Sequence, residues 1–343
     1  MNELHEQLVV GDAHNDLLAL VALRVPDRWA AYFREHWYPQ LAAGGVNVQV
    51  LPIMIDHGFR PEGVLRRTLR MIEAAHRIAE ENADVVALCR SGSDIDAALA
   101  AGRIALVLAL EGCAQIDEDV ALLRTMSRLG VQMVSLTHFG RTALADGSSE
   151  QDTGSRLTRA GVAAIAVLDE LGVLVDVSHL NPAGVAHVLE LTDRPVIASH
   201  SAAFALRPHH RNLTDEQLQA IAATGGVICL NLYAGYLAEG DATVDDVVDH
   251  LVHIAHVTGE DHVGIGSDFV ADLFAETIPA WERPLVIEGT DGERLVPGLA
   301  GPAGLPLITE KMLHSGLSPS FIGKVMGGNL LRLLTGDAPT GKE

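Results

Sequence analysis

Ile104-Ala105-Leu106-Val107-Leu108-Ala109-Leu110-Glu111 is an unbroken apolar run that stops on a carboxylate. A run of this length without polar alternation reads as a strand buried on both faces, as in a parallel sheet. An ionised carboxylate at its end is costly unless it is paired or metal-bound. Working outward, comparable runs occur at Val9-Val10, Val46–Ile55, Gln132–Leu136, Val173–Val177, Pro195–Ala198, Val227–Leu230 and His262–Ile265. Most of these are followed by a residue that can bind a metal or move a proton. His14 and Asp16 follow the first, and His138, His179, His200, Asn231 and Asp268 follow later ones. The C-terminal ends of all eight strands of a (β/α)8 barrel converge on one face, where chemistry is done. The expected fold is therefore an α/β barrel of the TIM type whose site is assembled from distant segments.

Helical patterns fill the intervals. Glu62–Asn82 carries Leu65, Leu69, Ile72, Ala75, His76 and Ala79 at i, i+3, i+4 spacing. Asp117–Leu129, Leu157–Leu171, Thr243–Thr258, Leu305–Ser315 and Ser318–Leu334 are further helix candidates. Thr214 opens TDEQLQAIAATGG, with Gln217 at the capping-box offset and glycine as the stop. Strand, helix, strand without a composition break predicts one barrel domain over 1–343. The Pro- and Gly-containing stretch 275–304 is expected to be a long irregular loop after the eighth strand. Trp29, Tyr32, Phe33, Trp37 and Tyr38 either wall a pocket or pack a helix into the core.

Composition narrows the function. Of 343 residues, 48% are hydrophobic but only 4% aromatic, so a large core must be built from Ala, Val, Leu and Ile. Forty-five acidic against 24 basic residues give a net charge of −21, which disfavours nucleic acid and anionic membrane surfaces as partners. Cys89, Cys113 and Cys229 show no CxxC spacing and read as buried thiols of a reducing compartment. No secretory n-region and h-region opens the chain, and the expected location is cytoplasmic.

His14 and Asp16 lie at i and i+2, so in extended backbone they point the same way and can share a divalent cation. Glu111 has two oxygens and can bridge two cations. His179 and His200 follow consecutive strand candidates, each beside small hydroxyl residues. His14, Asp16, Glu111, His179 and His200 form a nitrogen and oxygen set without thiolate, suited to two Zn2+ ions per chain sharing the carboxylate. Asp268 is a candidate proton carrier and His138 a candidate donor to a developing oxyanion. Arg211 is a candidate clamp for a substrate carboxylate, and Tyr233, just past the seventh strand candidate, is a further substrate-binding candidate.

These segments together resemble the renal (membrane) dipeptidase family of the amidohydrolase superfamily. The resemblance rests on DAHNDLL at 12–18, ALEG at 109–112, LTHFGR at 136–141 and VDVSHL at 175–180. It continues through IASHSAA at 197–203, RNLTDEQL at 211–218, GIGSDF at 264–269 and GGNLLRLL at 327–334. It implies a binuclear zinc barrel in which His14, Asp16 and Glu111 hold one ion and Glu111, His179 and His200 the other. It also implies that His138 contacts the scissile carbonyl, Arg211 the terminal carboxylate, and that Asp268 shuttles the proton. The implied substrate is a dipeptide, including those with a C-terminal D-residue, and a homodimer is the implied assembly. The chain departs from the pattern at Ala19, where mammalian members carry Trp, and at Val270-Ala271, where the family often reads Asp-Gly. Both positions shape side-chain pockets. Another amidohydrolase activity, on a lactone, cyclic amide or N-acyl amino acid, is the alternative, and a catalytically silent binding protein the more distant one.

Overall fold

The computed structural model describes residues 3–55, 63–277 and 295–336. Nine parallel strands are present among them: β1 (Val10–Asp12), β2 (Val46–Met54), β3 (Val86–Cys89), β4 (Ile104–Glu111), β5 (Val131–Ser135), β6 (Leu174–Asp176), β7 (Ile197–Ser201), β8 (Val227–Leu230) and β9 (Val263–Ile265). Eight of them run in the order β1-β2-β4-β5-β6-β7-β8-β9. The ring closes where Ala13 N–H donates to Ile265 O and Asp268 N–H donates to His14 O, both at 2.9 Å. This is the (β/α)8 barrel expected from the apolar runs, and the eight runs correspond to its eight strands. The four-residue β3 lies outside the ring. It pairs with β4 at Ile104–Val107, below the point where β5 takes up β4 from Leu108 to Glu111.

Alternation along β4 explains both its composition and its carboxylate. Leu106, Leu108 and Leu110 face the surrounding helices, whereas Ala105, Val107 and Ala109 join Val48, Val50, Met133, Ile197, Val227 and Cys229 inside the barrel. The interior is thus filled by aliphatic and sulfur-bearing side chains, and no aromatic ring is among them. Glu111 continues the inward series and reaches the mouth of the barrel. Two glycines permit close passage of backbone here. A Cβ on Gly266, after β9, would fall 1.7 Å from Ser199 O, and one on Gly327 would fall 2.4 Å from Val9 O.

The helix over Val64–Glu81 forms as expected, but its buried face is rotated from the one read in the sequence. Val64, Thr68, Met71, Ile72, Ala75 and Ile78 are buried, while Leu65 and Leu69 are exposed. Arg67 and Arg70 on this helix donate to the carbonyls of Ala19, Ala22 and Arg24, so the contact it makes there is polar as well as apolar. Thr214 and Thr243 both cap their helices with complete capping boxes. The expected helix Asp117–Leu129 is confined to Leu122–Arg128. That over Ser318–Leu334 is broken into Pro319–Gly323 and Asn329–Thr335 by a wide turn at Lys324–Gly328, which carries Gly327 past β1. Trp29, Phe33 and Trp37 are buried in the core, the second of the two readings offered for that segment. Of the expected loop over 275–304, residues 278–294 lie outside the described residues. Ala271–Thr277 is helical, and Pro302–Gly304 forms a short turn.

Candidate metal centre

Glu111 sits at the middle of a cluster drawn from five strand ends. Its Oε2 faces His14 Nε2 at 3.5 Å, and its Oε1 faces His179 Nε2 at 2.9 Å, His200 Nε2 at 3.4 Å and His138 Nε2 at 3.8 Å. The two carboxylate oxygens are thereby turned to two different groups of ligand-capable atoms. His200 reaches this position because β7 is irregular. From the inward Ile197, strict alternation would send His200 outward, but the register with β8 shifts between Ala198 and Ser201 and re-aims it.

Asp268 completes the rim. Its Oδ2 accepts the Asn231 amide at 2.8 Å, and its Oδ1 lies 3.9 Å from His14 Nε2. Asp268 and His179 both adopt left-handed backbone, with φ of 54° and 70°. For side chains other than glycine this costs about 1–3 kcal/mol each, and such strain clusters at active sites. The His179 carbonyl is held by Ser148 N–H at 2.7 Å and the Thr137 hydroxyl at 3.3 Å, which fixes the strained turn.

Two features show that the residues fit a divalent metal. The Nε2 atoms of His179 and His200 are 2.7 Å apart, and both converge on Glu111 Oε1. Two neutral imidazoles so placed can share only one proton, whereas a cation accepts both lone pairs. Moreover, His14 Nε2 and Asp16 Oδ1 are buried with no hydrogen-bond partner. Unsatisfied polar atoms of this kind are rare in folded interiors without a role. Three overlapping groups among the described residues have ligand atoms within 4.8 Å of one another: His14, Glu111 and His200; Glu111, His138 and His179; His14, Asp16 and Asp268. His138 and Asp268 thus stand in these groups beside residues read as ligands.

The electrostatics are those of a compact charge cluster. Burial pushes the Glu111 carboxyl up, but the imidazoles of His14, His179 and His200 outweigh it and hold it well below the usual range. Burial works to lower the His14 pKa, yet Glu111, Asp268 and Asp16 raise it to about 10. Asp16 is raised well above its ordinary value by burial and by Glu111. Burial, aided by Arg211, drives His179 well down, and burial with the charge of His14 lowers His200 to about 3.

Arg211 closes one side. It is buried, and its Nη2 donates to His200 O at 3.1 Å and lies 3.2 Å from His179 Nε2. Its guanidinium carbon stands 5.7 Å from the Phe139 ring centre and 5.6 Å from that of Tyr236. Its Nε is buried without a partner. Tyr233 is buried against Tyr236, with ring centres 5.0 Å apart, and its N–H is held by Asn231 Oδ1. Tyr236, whose ring lies against the Arg211 guanidinium, is not among the site residues read from the sequence. The signal was the Tyr-x-x-Tyr spacing of NLYAGY, which puts both rings on one side of the short helical turn Ala234–Tyr236. His14, Asp16, Glu111, His138, His179, His200, Arg211 and Asp268 are thus all brought to one mouth.

Known proteins share this arrangement of chain. The membrane dipeptidase family (peptidase family M19) matches residues 1–282. The dipeptidase aclJ of Aspergillus oryzae is 31% identical over 344 residues, covering 94% of this chain and 76% of its own. Among solved structures, the dipeptidase AC, a metallopeptidase of family M19, superposes with a TM-score of 0.83 at 26% identity, over 95% of this chain and 98% of its own. A metallopeptidase from Rhodobacter sphaeroides, solved with a phosphinate mimic of the dipeptide L-Ala-D-Ala, also gives 0.83, at 25% identity and the same coverage.

Proposed function

The chain belongs to the membrane dipeptidase family, peptidase family M19, and from that premise we propose that it is a metal-dependent hydrolase that cleaves the peptide bond of dipeptides. The observation that carries this reading is the division of Glu111: one oxygen toward His14, the other toward His179 and His200, with Arg211 beside them. We assign His14, Asp16 and Glu111 to one metal position and Glu111, His179 and His200 to a second, with zinc as the ion and two ions per chain. The donor set of imidazole and carboxylate without thiolate supports zinc. When bound, such ions polarise a carbonyl and make water nucleophilic at neutral pH.

The protein's own groups do the rest. Asp268, steadied by Asn231, takes the proton of the attacking water and delivers it to the leaving amine. His138 donates from Nε2 to the oxyanion that develops on the carbonyl. Arg211 grips the terminal carboxylate, which sets substrate length at two residues. Tyr233 and Tyr236 bound the pocket on the arginine side. The mimic bound by the Rhodobacter protein supports extending the substrates to dipeptides with a C-terminal D-residue. No helix among the described residues is long and apolar enough to cross a membrane. The buried free thiols Cys89, Cys113 and Cys229 support a reducing compartment, where we place the protein, and the family resemblance supports a homodimer.

The deciding experiment is hydrolysis of a panel of L,L- and L,D-dipeptides by zinc-loaded protein, with a chelated control. Chelator-sensitive cleavage supports the reading. Zinc-loaded protein that cleaves no dipeptide but opens a lactone or an N-acyl amino acid would overturn it.

A further inference from the structure

Two buried carboxylates beside the cluster have no place among the proposed ligands. Asp12 ends β1 and Asp176 ends β6, and they are 0% and 4% exposed. Each is built into the same kind of clamp. Asp176 Oδ2 accepts the Ser199 hydroxyl at 2.6 Å, and its Oδ1 accepts the N–H groups of Ser178 and Ser199, both at 3.0 Å. Asp12 Oδ2 accepts the Ser267 hydroxyl at 2.6 Å, and its Oδ1 accepts the N–H groups of Ser267 at 2.8 Å and His14 at 3.2 Å. The clamps join β6 to β7 and β9 to β1. The β6–β7 ladder itself has a single register pair, Asp176 with Ile197.

The clamps differ in one respect. Ser199 Oγ also lies 2.7 Å from His200 Nδ1, whereas the second neighbour of Ser267 Oγ is the main-chain oxygen of His14 at 3.1 Å. A hydroxyl carries one proton. At Ser199 that proton goes to the carboxylate, which can only accept. Ser199 Oγ must then accept from His200 Nδ1–H. An imidazole with its proton on Nδ1 has its lone pair on Nε2, the atom turned toward Glu111. Run in reverse, the same chain would leave the proton on Nε2 and close that atom to a cation.

We propose that Asp176 and Ser199 are positioning residues that hold His200 in the Nδ1–H tautomer and so present Nε2 to the metal. The inference rests on His200 being a ligand, as assigned above. Outer groups that orient a metal-binding imidazole change affinity by roughly 10- to 100-fold when altered. The sharpest perturbation is Asp176→Asn. Its oxygen still accepts the two N–H groups, but its NH2 donates to Ser199 Oγ. The serine proton is then turned onto Nδ1 and the imidazole proton is moved to Nε2.

The test uses the full chain with 15N-labelled histidine, freed of metal by chelation, and long-range proton–nitrogen correlation spectra. The His200 signal is assigned by its loss in His200→Gln. Zinc dissociation constants are measured in parallel by competition with a chromophoric chelator. Wild-type His200 is expected as Nδ1–H and Asp176→Asn as Nε2–H, with zinc bound ~10- to 100-fold more weakly in the variant. Ser199→Ala is expected to fall between the two. Ser267→Ala removes the matching hydroxyl–carboxylate bond where no imidazole is attached, so the His200 tautomer should stay as in wild type. Should Ser199→Ala not fold, the isosteric Asp176→Asn carries the test alone. Nε2–H in wild type, or a wild-type tautomer and zinc constant in Asp176→Asn, would overturn the proposal. A wild-type protein in the Nδ1–H form that binds no zinc would instead sink the metal-centre reading, and the proposed purpose of the relay with it.

Discussion

Replacing Arg211 by methionine tests how the substrate is measured. Arg211 is 3% exposed, and its guanidinium carbon is 5.7 Å and 5.6 Å from the ring centres of Phe139 and Tyr236. Methionine keeps an unbranched, adaptable stem in that slot, so packing changes little. What is lost is a charge and a buried Nε–H that has no partner within the protein. A hydrogen bond to a charged group is worth about 1.5–3 kcal/mol, and a buried orphan donor costs about 1–3 kcal/mol until a ligand satisfies it. Taken as one interaction with the terminal carboxylate, the loss is about 3 kcal/mol. At about 1.36 kcal/mol per decade, kcat/KM falls ~150-fold. Because the carboxylate is held equally in ground and transition states, the change should appear in KM rather than kcat. The variant also loses the bond to His200 O, which affects every substrate alike. The assay therefore compares L-Ala-L-Ala with its C-terminal amide. The variant should lose ~150-fold on the free acid and far less on the amide. Equal losses on both, or none on the acid, would refute the clamp.

Three further outcomes follow from the same geometry. Asp268→Asn keeps a partner for Asn231 but cannot take a proton, so kcat should fall by ~100- to 10,000-fold with metal content by elemental analysis unchanged; a kcat within about tenfold of wild type excludes Asp268 as proton carrier. Glu111→Gln removes the anion shared by both groups of imidazoles, and the zinc-dependent rise in Tm should disappear; a full zinc complement in the variant would rule out the bridging role. With its pKa raised to about 10, His14 is protonated in the metal-free protein at neutral pH, whereas His179 and His200 are lowered and neutral. Metal binding must displace the His14 proton, so affinity should rise with pH up to about pH 10. Calorimetric titrations with zinc in buffers of different ionisation enthalpy should accordingly differ, and identical enthalpies would contradict the charge on His14.

The barrel was legible because its strands are buried on both faces. A run such as Ile104–Leu110 needs no partner to be recognised, and the polar residue that ends it marks the mouth. The short β3 escaped notice because Val86–Cys89 is no more apolar than many helix segments and gains its strand character by pairing with the first half of β4. The helices Leu17–Ala22, Gly92–Ala100 and Pro182–Leu191 are likewise short and weakly patterned, though the last is announced by Asn181 as cap and Pro182 in the first turn. The error over Leu65 and Leu69 has the same origin. Periodicity gives the existence of a stripe, but its phase depends on Arg67 and Arg70 reaching the end of a neighbouring helix. At the site, each ligand candidate was readable from its own strand end. The link from Asp176 through Ser199 to His200 was not, because it crosses from one strand to the next and exists only in the assembled ring.

The left-handed backbone at His179 and Asp268 has a consequence for the lineage of this chain. Glycine adopts such φ values without a steric penalty, and asparagine tolerates them better than most residues. Stability alone would therefore favour glycine at both positions, and the roles proposed for His179 in holding a metal and Asp268 in moving a proton account for an imidazole and a carboxylate there. A descendant released from catalysis should drift at 179 and 268 first, while Ala105, Val107 and the rest of the barrel interior stay as they are. Those two positions are thus a record of whether a barrel of this kind is still at work.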